Sequence, residues 1–248
     1  MSQPAKGTLY LIPSLLGDSA IERSLPSYNK EIINTLDEFI VEDLRSARRF
    51  LIKAGIIKPI DSLTFHLLNE HTSSDDISHC LEGLLKGKNA GLLSDAGCPG
   101  IADPGAEVIK LAHTRNIKVV PLVGPSSILL ALISSGMNGQ SFSFHGYLPK
   151  KQPDRGNKIR QIETDALKNG QTQVFIETPY RNDNIIHDIL ATCKGDTLLC
   201  IASDITLPAE DIRTRTVAEW KQEKKSFNDH PAVFLIGSGQ QGGKPQRR

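Results

Sequence analysis

The stretch Gly91–Gly105 reads G-L-L-S-D-A-G-C-P-G-I-A-D-P-G and decides the fold of the first half of this chain. The apolar run Ala90–Leu93 before it is typical of a buried strand, and the apolar residues of Ala106–Ala112 have helical spacing. In between, glycines can take positive φ and let a ligand approach the backbone, while Pro99 and Pro104 keep the chain out of a helix. The pattern predicts a strand, a long turn and a helix.

The long turn has two interpretations. A tight structural connection without a ligand is one, because glycine and proline punctuate many such turns. However, this turn exceeds the usual length of about two to six residues and carries Asp95 and Asp103. Ligands of open α/β sheets bind outside the carboxyl ends of the strands, where this turn would lie. The length and the two carboxylates favour a functional loop.

The composition is typical of a soluble globular protein. The chain has 248 residues, of which 39% are hydrophobic, so it could form one large domain or two of ordinary size. No apolar run approaches the roughly 18 residues of a membrane span, and Met1–Gly7 lacks the apolar segment of a signal peptide. The 29 basic and 28 acidic residues leave a net charge of +1 and no overall preference for nucleic acid. We expect a cytoplasmic protein with no membrane or DNA partner.

The cysteine and histidine spacings do not favour a metal site. None of the four cysteines has C-x-x-C spacing, so neither structural zinc nor a disulfide framework is expected, and reduced thiols fit the cytosol. His66 and His71 are five residues apart, which does not place two ligands on one helix face.

Strand and helix patterns alternate through the first half of the chain. Strands are predicted at Gly7–Ile12, Glu38–Val41, Asp61–Leu68 and Ile117–Leu122. Helices are predicted at Ser27–Leu36, from about Ser46, from Thr72 or Ser73 to Lys86, and at Ile128–Ser134. This order predicts an α/β domain with a mostly parallel sheet and helices on both of its faces.

The pattern changes after Gly139 and predicts a second α/β domain. Strands are predicted at Ser141–Tyr147, Thr172–Glu177, Asp196–Ala202 and Ala232–Gly237, and helices at Ile159–Leu167, Asn182–Ala191 and Val217–Lys225. Leu148–Lys158 reads as a basic, proline-containing loop. We predict domains at residues 1–121 and 122–238, followed by a disordered tail at residues 239–248.

Several polar residues at predicted strand ends have two interpretations. Glu42 and Asp43 either stabilise the N-terminus of the next helix or serve chemistry. Gly124–Ser127 either caps a helix in the ordinary way or offers its free N–H groups to a polar or anionic ligand. Two basic clusters either bind phosphates or form a solvated face. These clusters are Arg45-Arg48-Arg49 and Lys150-Lys151-Arg155-Lys158.

Ser94–Gly105 also carries the pattern S-D-A-G-x-P-x-x-x-D-P-G, which resembles the signature of the tetrapyrrole methylase family. More narrowly, it resembles the branch that methylates a ribose 2′-hydroxyl of small-subunit ribosomal RNA. Supporting motifs follow in the same order from Gly7 to about Gly237. They are G-T-L-Y-L-I at 7–12, E-D-x-R at 42–45, N-E at 69–70, G-P-S-S at 124–127, F-x-F-x-G-x-L-P at 142–149 and F-I-E-T-P-Y-R at 175–181.

The resemblance implies two α/β domains with S-adenosylmethionine in the cleft between them, a homodimer, and ribosomal RNA as the partner. The implied cofactor-binding residues are Pro13, Asp95, Gly97, Cys98, Pro99, Ser126, Ser127, Ile176 and Ala232. A 2′-hydroxyl acceptor would benefit from a general base. The carboxylates at strand ends are the candidates, and the sequence leaves all three open: Glu42, Asp43 and Glu177.

The chain departs from the ribosomal branch where an acceptor would bind. For example, Pro13–Asp18 replaces its T-P-I-G-N, and E-D-L-R at Glu42–Arg45 replaces its E-D-T-R. A methyltransferase acting on RNA is the leading hypothesis. A tetrapyrrole or another small molecule is the alternative acceptor, although 5% aromatic residues supply little apolar wall for a tetrapyrrole. A non-catalytic cofactor-binding homologue is a further alternative, and a Rossmann oxidoreductase lacks its G-x-G-x-x-G motif.

Overall fold

The computed structural model describes residues 5–68, 72 and 74–239. The chain divides into two compact units, Met1–Ser126 and Ser127–Arg248, and each unit contains a five-stranded sheet. The predicted motif Asn69-Glu70, the neighbouring His71 and the predicted disordered tail beyond Gly239 lie outside the described residues.

The sheet of the first unit has the strand order β3-β2-β4-β1-β5. The strands are β1 (Thr8–Ile12), β2 (Glu38–Val41), β3 (Thr64–Leu67), β4 (Ala90–Leu93) and β5 (Lys118–Pro121). The described strand pairs are parallel, as predicted. All four residues of the central strand β4 are buried, so the long turn after it leaves from the middle of the sheet.

Helices cover both faces of this sheet, which confirms the predicted architecture. They are α1 (Ser27–Thr35), α2 (Leu44–Lys53), α3 (Ser74–His79), α4 (Glu82–Leu85) and α5 (Gly105–Thr114). Successive strand residues point to opposite faces. Leu92 therefore packs with Val108 of α5, whereas Leu93 packs with Leu51 of α2.

The sheet of the second unit is mixed and has the order β6-β7-β10-β8-β9. Its strands are β6 (Phe142–Tyr147), β7 (Thr172–Ile176), β8 (Leu198–Ser203), β9 (Asp211–Thr216) and β10 (Ala232–Gly237). Only the pairing of β6 with β7 is parallel among the described pairs of this sheet. The helices are α6 (Ser127–Ser135), α7 (Asp154–Asn169), α8 (Asn182–Thr192) and α9 (Val217–Trp220). Ile159 of α7 and Ile185 of α8 pack with Phe175 and Phe234 in the core.

The structure of the second unit has one strand that was not predicted and one helix that begins earlier than predicted. Strand β9 was not predicted, because its sequence D-I-R-T-R-T is charged and polar and all six residues are only half-buried. Helix α7 begins at Asp154, five residues before the predicted start, so Asp154–Lys158 is not loop. The amide oxygen of Gln152 accepts the N–H of Gly156 at 3.1 Å, which supports a first turn that contains glycine.

Other predicted boundaries also shift. The helix predicted up to Lys86 is interrupted between α3 and α4, and the strand predicted from Asp61 begins only at Thr64, after a short 3₁₀ turn. Helix α9 ends at Trp220 instead of Lys225. There the buried indole donates to the carbonyl of Leu199 at 2.8 Å, and the Glu223 carboxylate accepts from Arg213 at 2.6 Å. These long-range bonds favour a turn over a longer helix.

Candidate functional site

The carboxyl ends of the parallel strands bring the predicted loops of the first unit together. The N–H of Ser14, after β1, donates to the carbonyl of Gly97 at 2.9 Å, and its hydroxyl donates to the carbonyl of Ser94 at 2.8 Å. The thiol of Cys98 contacts the carbonyl of Pro125, after β5, at 3.4 Å. The loops after β1, β4 and β5 therefore form one connected edge. Predicted cofactor residues on these loops are Pro13, Asp95, Gly97, Cys98, Pro99 and Ser126.

Gly97 is required for the packing of these loops. Its φ is +75°, and a Cβ there would lie 3.2 Å from Leu16 Cδ2 and 3.4 Å from the carbonyl oxygen of Pro125. A Cβ at Gly124 would lie 2.2 Å from Cγ of Pro13. At these two glycines, neighbouring loops of the protein fill the side of the backbone to which a Cβ would point.

Asp103 fixes the second part of the long turn. Its Oδ1 accepts the N–H of Gly100 and the N–H of Gly105, each at 2.8 Å. Gly105 is the first residue of α5, so the carboxylate also lies at the positive end of that helix. Ala102, inside this clamp, has a φ of +60°. In the sequence Asp103 is one of two carboxylates that favour a functional loop, and in the structure it holds the turn in one shape.

Glu42 follows β2 and lies half-buried at the same edge. Its Oε1 accepts the N–H of Asp95 at 3.3 Å. Burial raises the pKa of the Glu42 carboxyl, and the negative charge of Asp103 raises it further. A carboxyl group with a raised pKa, and with no cation paired to it within the described residues, is suited to accept and release a proton. Beside it is a small cleft lined in part by Ser46, Phe50 and Ser94.

Asp43, the next residue, has a structural role. Its Oδ1 accepts the N–H of Ser46 at 2.7 Å and caps α2, which begins at Leu44 and not at Ser46 as predicted. Hydrogen bonds from the backbone and the side chain of Ser46 favour the charged form and lower the pKa of the Asp43 carboxyl. The interpretation of Asp43 as a helix N-terminal residue is confirmed. Asp95 differs, because partial burial and the charge of Asp43 raise the pKa of its carboxyl.

Two of the predicted residues of the second unit, Ile176 and Ala232, lie at one edge of its mixed sheet. Ile176 ends β7 and is paired with Val233, and Ala232 begins the antiparallel strand β10, where it is paired with Ser203. Ser127 is the first residue of α6. Ile176 and Ala232 are therefore brought to the same edge, as strand direction requires.

Glu177 follows β7, and its side chain is 0% exposed. Its Oε1 accepts the N–H of Thr178 at 2.7 Å and the Nε–H of Arg181 at 3.1 Å, within an ion pair. Its Oε2 is buried and has no hydrogen-bond partner among the described residues. This carboxylate is therefore committed to an ion pair within the protein.

A histidine–aspartate pair lies at the same edge of the second sheet. Nδ1 of His230 is 2.6 Å from Oδ2 of Asp204, which is buried and has a φ of +51°. The sequence offered no signal for this pair. The two residues meet because Ser203 and Ala232, beside them, are partners in the pairing of β8 with β10.

Some members of the two basic clusters make contacts within the protein, and others are exposed to solvent. Arg48 lies 5.5 Å from the ring centroid of Phe65, and Arg155 forms an ion pair with Asp188 in which both side chains are largely buried. Arg45, Arg49 and the lysines at 150 and 151 are exposed. Among the members described here, these exposed ones are accessible to a ligand from solvent.

Within the described residues, no group of three His, Cys, Asp or Glu side chains is placed to hold a metal ion. In the same part of the chain, no helix combines the length and apolar character needed to cross a bilayer. All four cysteines are free thiols.

Comparison of the sequence with known proteins identifies close relatives. Residues 29–221 match the family described as Tetrapyrrole (Corrin/Porphyrin) Methylases. The chain is 30% identical to "Ribosomal RNA small subunit methyltransferase I" of Vibrio cholerae over 243 residues, which cover 96% of this chain and 80% of that protein. It is 34% identical to the protein of the same name from Bacillus subtilis, over 88% of this chain and 71% of that protein.

Solved structures share the fold. The methyltransferase CobJ gives a TM-score of 0.61 at 16% identity and covers 94% of each chain. Uroporphyrin III C-methyl transferase from Thermus thermophilus gives a TM-score of 0.60 at 16% identity, over 94% of this chain and 98% of that chain. The family match covers well over half of the chain, and the signature loop lies at the sheet edge where it is expected. The chain therefore belongs to the tetrapyrrole (corrin/porphyrin) methylase family and is a methyltransferase.

Proposed function

We propose that this protein transfers the methyl group of S-adenosylmethionine to a ribose 2′-hydroxyl of small-subunit ribosomal RNA. The observation that carries the proposal is the similarity to relatives named as ribosomal RNA small subunit methyltransferases, which reaches 30% identity over 96% of the chain. The signature loop Ser94–Gly105, built at the carboxyl edge of the first sheet, supports it.

The residues of the first unit fit such a cofactor. The tied loops after β1, β4 and β5 offer backbone groups in fixed positions, and the exposed Asp95 offers a carboxylate to the hydroxyl or ammonium groups of the ligand. When bound, S-adenosylmethionine supplies an electrophilic methyl group, so the protein mainly has to position the reactants. The proposed contacts are Pro13, Asp95, Gly97, Cys98, Pro99 and Ser126 in the first unit and Ser127, Ile176 and Ala232 in the second.

Glu42 is the carboxylate that we propose as the general base. Asp43 is engaged as a helix cap, and Glu177 is held in an ion pair with Arg181. Glu42 combines partial burial, a raised pKa and a position beside Asp95. In this role its carboxylate accepts the proton that the acceptor hydroxyl loses as the methyl group is transferred.

The protein is further proposed to act in the cytoplasm as a homodimer. The exposed apolar side chains of Leu129 and Ile133 on α6 support self-association, because large apolar groups on one helix face are suited to a protein interface. Sedimentation of the full chain tests this part of the proposal. A monomer at all concentrations would contradict it.

Methyl transfer from labelled S-adenosylmethionine tests the function. Ribosomal subunits, total RNA and a panel of tetrapyrroles, all from cells lacking this protein, serve as acceptors. The proposal expects label in the RNA of the small subunit. Label only in a tetrapyrrole would assign the alternative acceptor, and cofactor binding without any label would assign a non-catalytic role.

Binding of the cofactor is measured separately by calorimetry. Asp95→Ala should weaken the affinity for S-adenosylmethionine, because it removes a polar group from the proposed binding loop. An unchanged dissociation constant would place the cofactor elsewhere.

A further inference from the structure

Tyr180 stands out on the surface of the second unit because its side chain is 66% exposed. The guanidinium carbon of Arg181 lies 5.5 Å from the centroid of its ring. This guanidinium is held in place, since its Nε–H is shared between Glu177 Oε1 at 3.1 Å and Thr178 Oγ1 at 2.9 Å. An exposed aromatic ring is thus accompanied by a positive group that is already held in place.

His230 lies on a neighbouring loop and is also held in place. Asp204, whose side chain is only 8% exposed, fixes one ring nitrogen of His230, while the histidine side chain remains 44% exposed. Folding alone requires a partner for the buried aspartate. It does not require that partner to be a flat ring that faces solvent.

Hydrogen bonds join the two loops into one surface. The N–H of Asp229 donates to the carbonyl of Pro179 at 3.2 Å, and the amide nitrogen of Asn182 donates to the carbonyl of His230 at 2.7 Å. Because these contacts are present in the free protein, little conformational entropy would be lost when a ligand binds.

The chemistry of this surface matches an unpaired nucleobase. Single-stranded RNA is recognised when unstacked bases lie against aromatic side chains, histidine or the guanidinium plane of arginine. A duplex hides the faces of its bases, so it cannot bind in this way. The exposed polar neighbour Asp229 suits a nucleotide better than the apolar face of a protein helix.

We propose that Tyr180 and His230, with Arg181 held beside the tyrosine ring, form a stacking surface for an unpaired base of single-stranded RNA. The inference rests on the proposed function, because the bound strand is the RNA that carries the methyl acceptor. It extends that function by naming the state of the RNA: the protein selects an unpaired nucleotide rather than a helical segment.

Fluorescence anisotropy with the full chain tests the surface. The probes are a labelled single-stranded RNA of mixed sequence and the duplex made from it. Stacking on one aromatic ring corresponds to an affinity change of about 5- to 150-fold, so Tyr180→Ala should weaken single-strand binding by a factor in that range. Tyr180→Phe keeps the ring and should stay within about twofold of the unchanged protein.

Matched variants separate stacking from other effects. Tyr28, which is 54% exposed on α1 of the first unit, provides the control, and Tyr28→Ala should leave RNA binding unchanged. His230→Ala should weaken single-strand binding, and His230→Phe, which keeps a flat ring, should restore most of it. Binding of S-adenosylmethionine and the melting temperature should be the same in Tyr180→Ala and the unchanged protein.

The possible results distinguish a failure of the stacking surface from a failure of the proposed function. If Tyr180→Ala binds the single strand normally, weakens duplex binding equally or loses cofactor affinity, the stacking surface is overturned. If the unchanged protein methylates small-subunit RNA while Tyr180→Ala does so with the same KM, the proposed function stands without this surface. If the unchanged protein neither binds nor methylates RNA, both the function and the surface are overturned.

Discussion

Glu42 in the first unit and Glu177 in the second each occupy the first position after a strand, yet the charged groups around them have opposite signs. Glu42 is half-buried beside Asp95, and burial together with the charge of Asp103 raises its pKa. Glu177 is fully buried and held by the guanidinium of Arg181. Two carboxylates at equivalent strand ends therefore differ in the charge beside them, which is negative at Glu42 and positive at Glu177.

The largest expected effect comes from Glu42→Gln. Loss of a general base typically lowers turnover by about 100- to 10,000-fold, and we expect turnover to fall in that range while cofactor affinity is retained. Single-turnover methyl transfer and calorimetry measure the two quantities. Glu31 is exposed on α1, so Glu31→Gln is the control and should leave turnover unchanged. Normal turnover in Glu42→Gln would show that Glu42 is not the general base.

Glu177→Gln should act on stability instead. Removing one partner of a buried ion pair leaves the other charge uncompensated and costs about 3–5 kcal/mol. Urea unfolding should therefore show a lower free energy of unfolding for Glu177→Gln, whereas Glu42→Gln should not be destabilised at neutral pH. A loss below about 1 kcal/mol in Glu177→Gln would show that Arg181 does not depend on this carboxylate.

Asp103→Asn is expected to change the pH dependence of the reaction. Glu42 must be ionised to accept a proton, so activity falls as pH falls through its raised pKa. Burial is the main cause of the raised pKa of Glu42, and the charges of Asp103 and Asp95 raise it further. Removing the charge of Asp103 lowers the pKa of Glu42 and should move the acidic limb of the pH–rate profile to lower pH. An unchanged acidic limb would show that the charge of Asp103 does not affect the pKa of Glu42.

The smallest effect is expected for Asp43→Ala. Loss of the side-chain cap of α2 should lower the melting temperature by a few degrees and leave turnover unchanged. Asp43→Ser keeps a capping oxygen and should recover most of the loss. A large fall in turnover with normal stability would return Asp43 to the candidate bases.

The architecture was largely predictable from the sequence, since the apolar runs of β2, β4 and β10 give their boundaries directly. Strand β9 was not, because its alternating charged residues carry no apolar signal. The start of α7 was hidden by Gly156 and by the basic residues around it, whose stabilising contacts come from Gln152 and Asp188.

The roles of the site residues were less predictable, because they depend on partners distant in the chain. The sequence placed Glu42, Asp43 and Glu177 at strand ends but could not show that Asp103 lies near Glu42 or that Arg181 neutralises Glu177. It could not pair His230 with Asp204 either, since that contact follows from the register of β8 against β10.

The most direct test of the central claim is to digest labelled small-subunit RNA to nucleosides after reaction with the protein and S-adenosylmethionine. Mass spectrometry then locates the transferred methyl group. We predict a nucleoside methylated on its ribose 2′-oxygen, formed about 100- to 10,000-fold more slowly when Glu42→Gln replaces the unchanged protein. A methyl group on a base, or no labelled nucleoside despite bound cofactor, would contradict it.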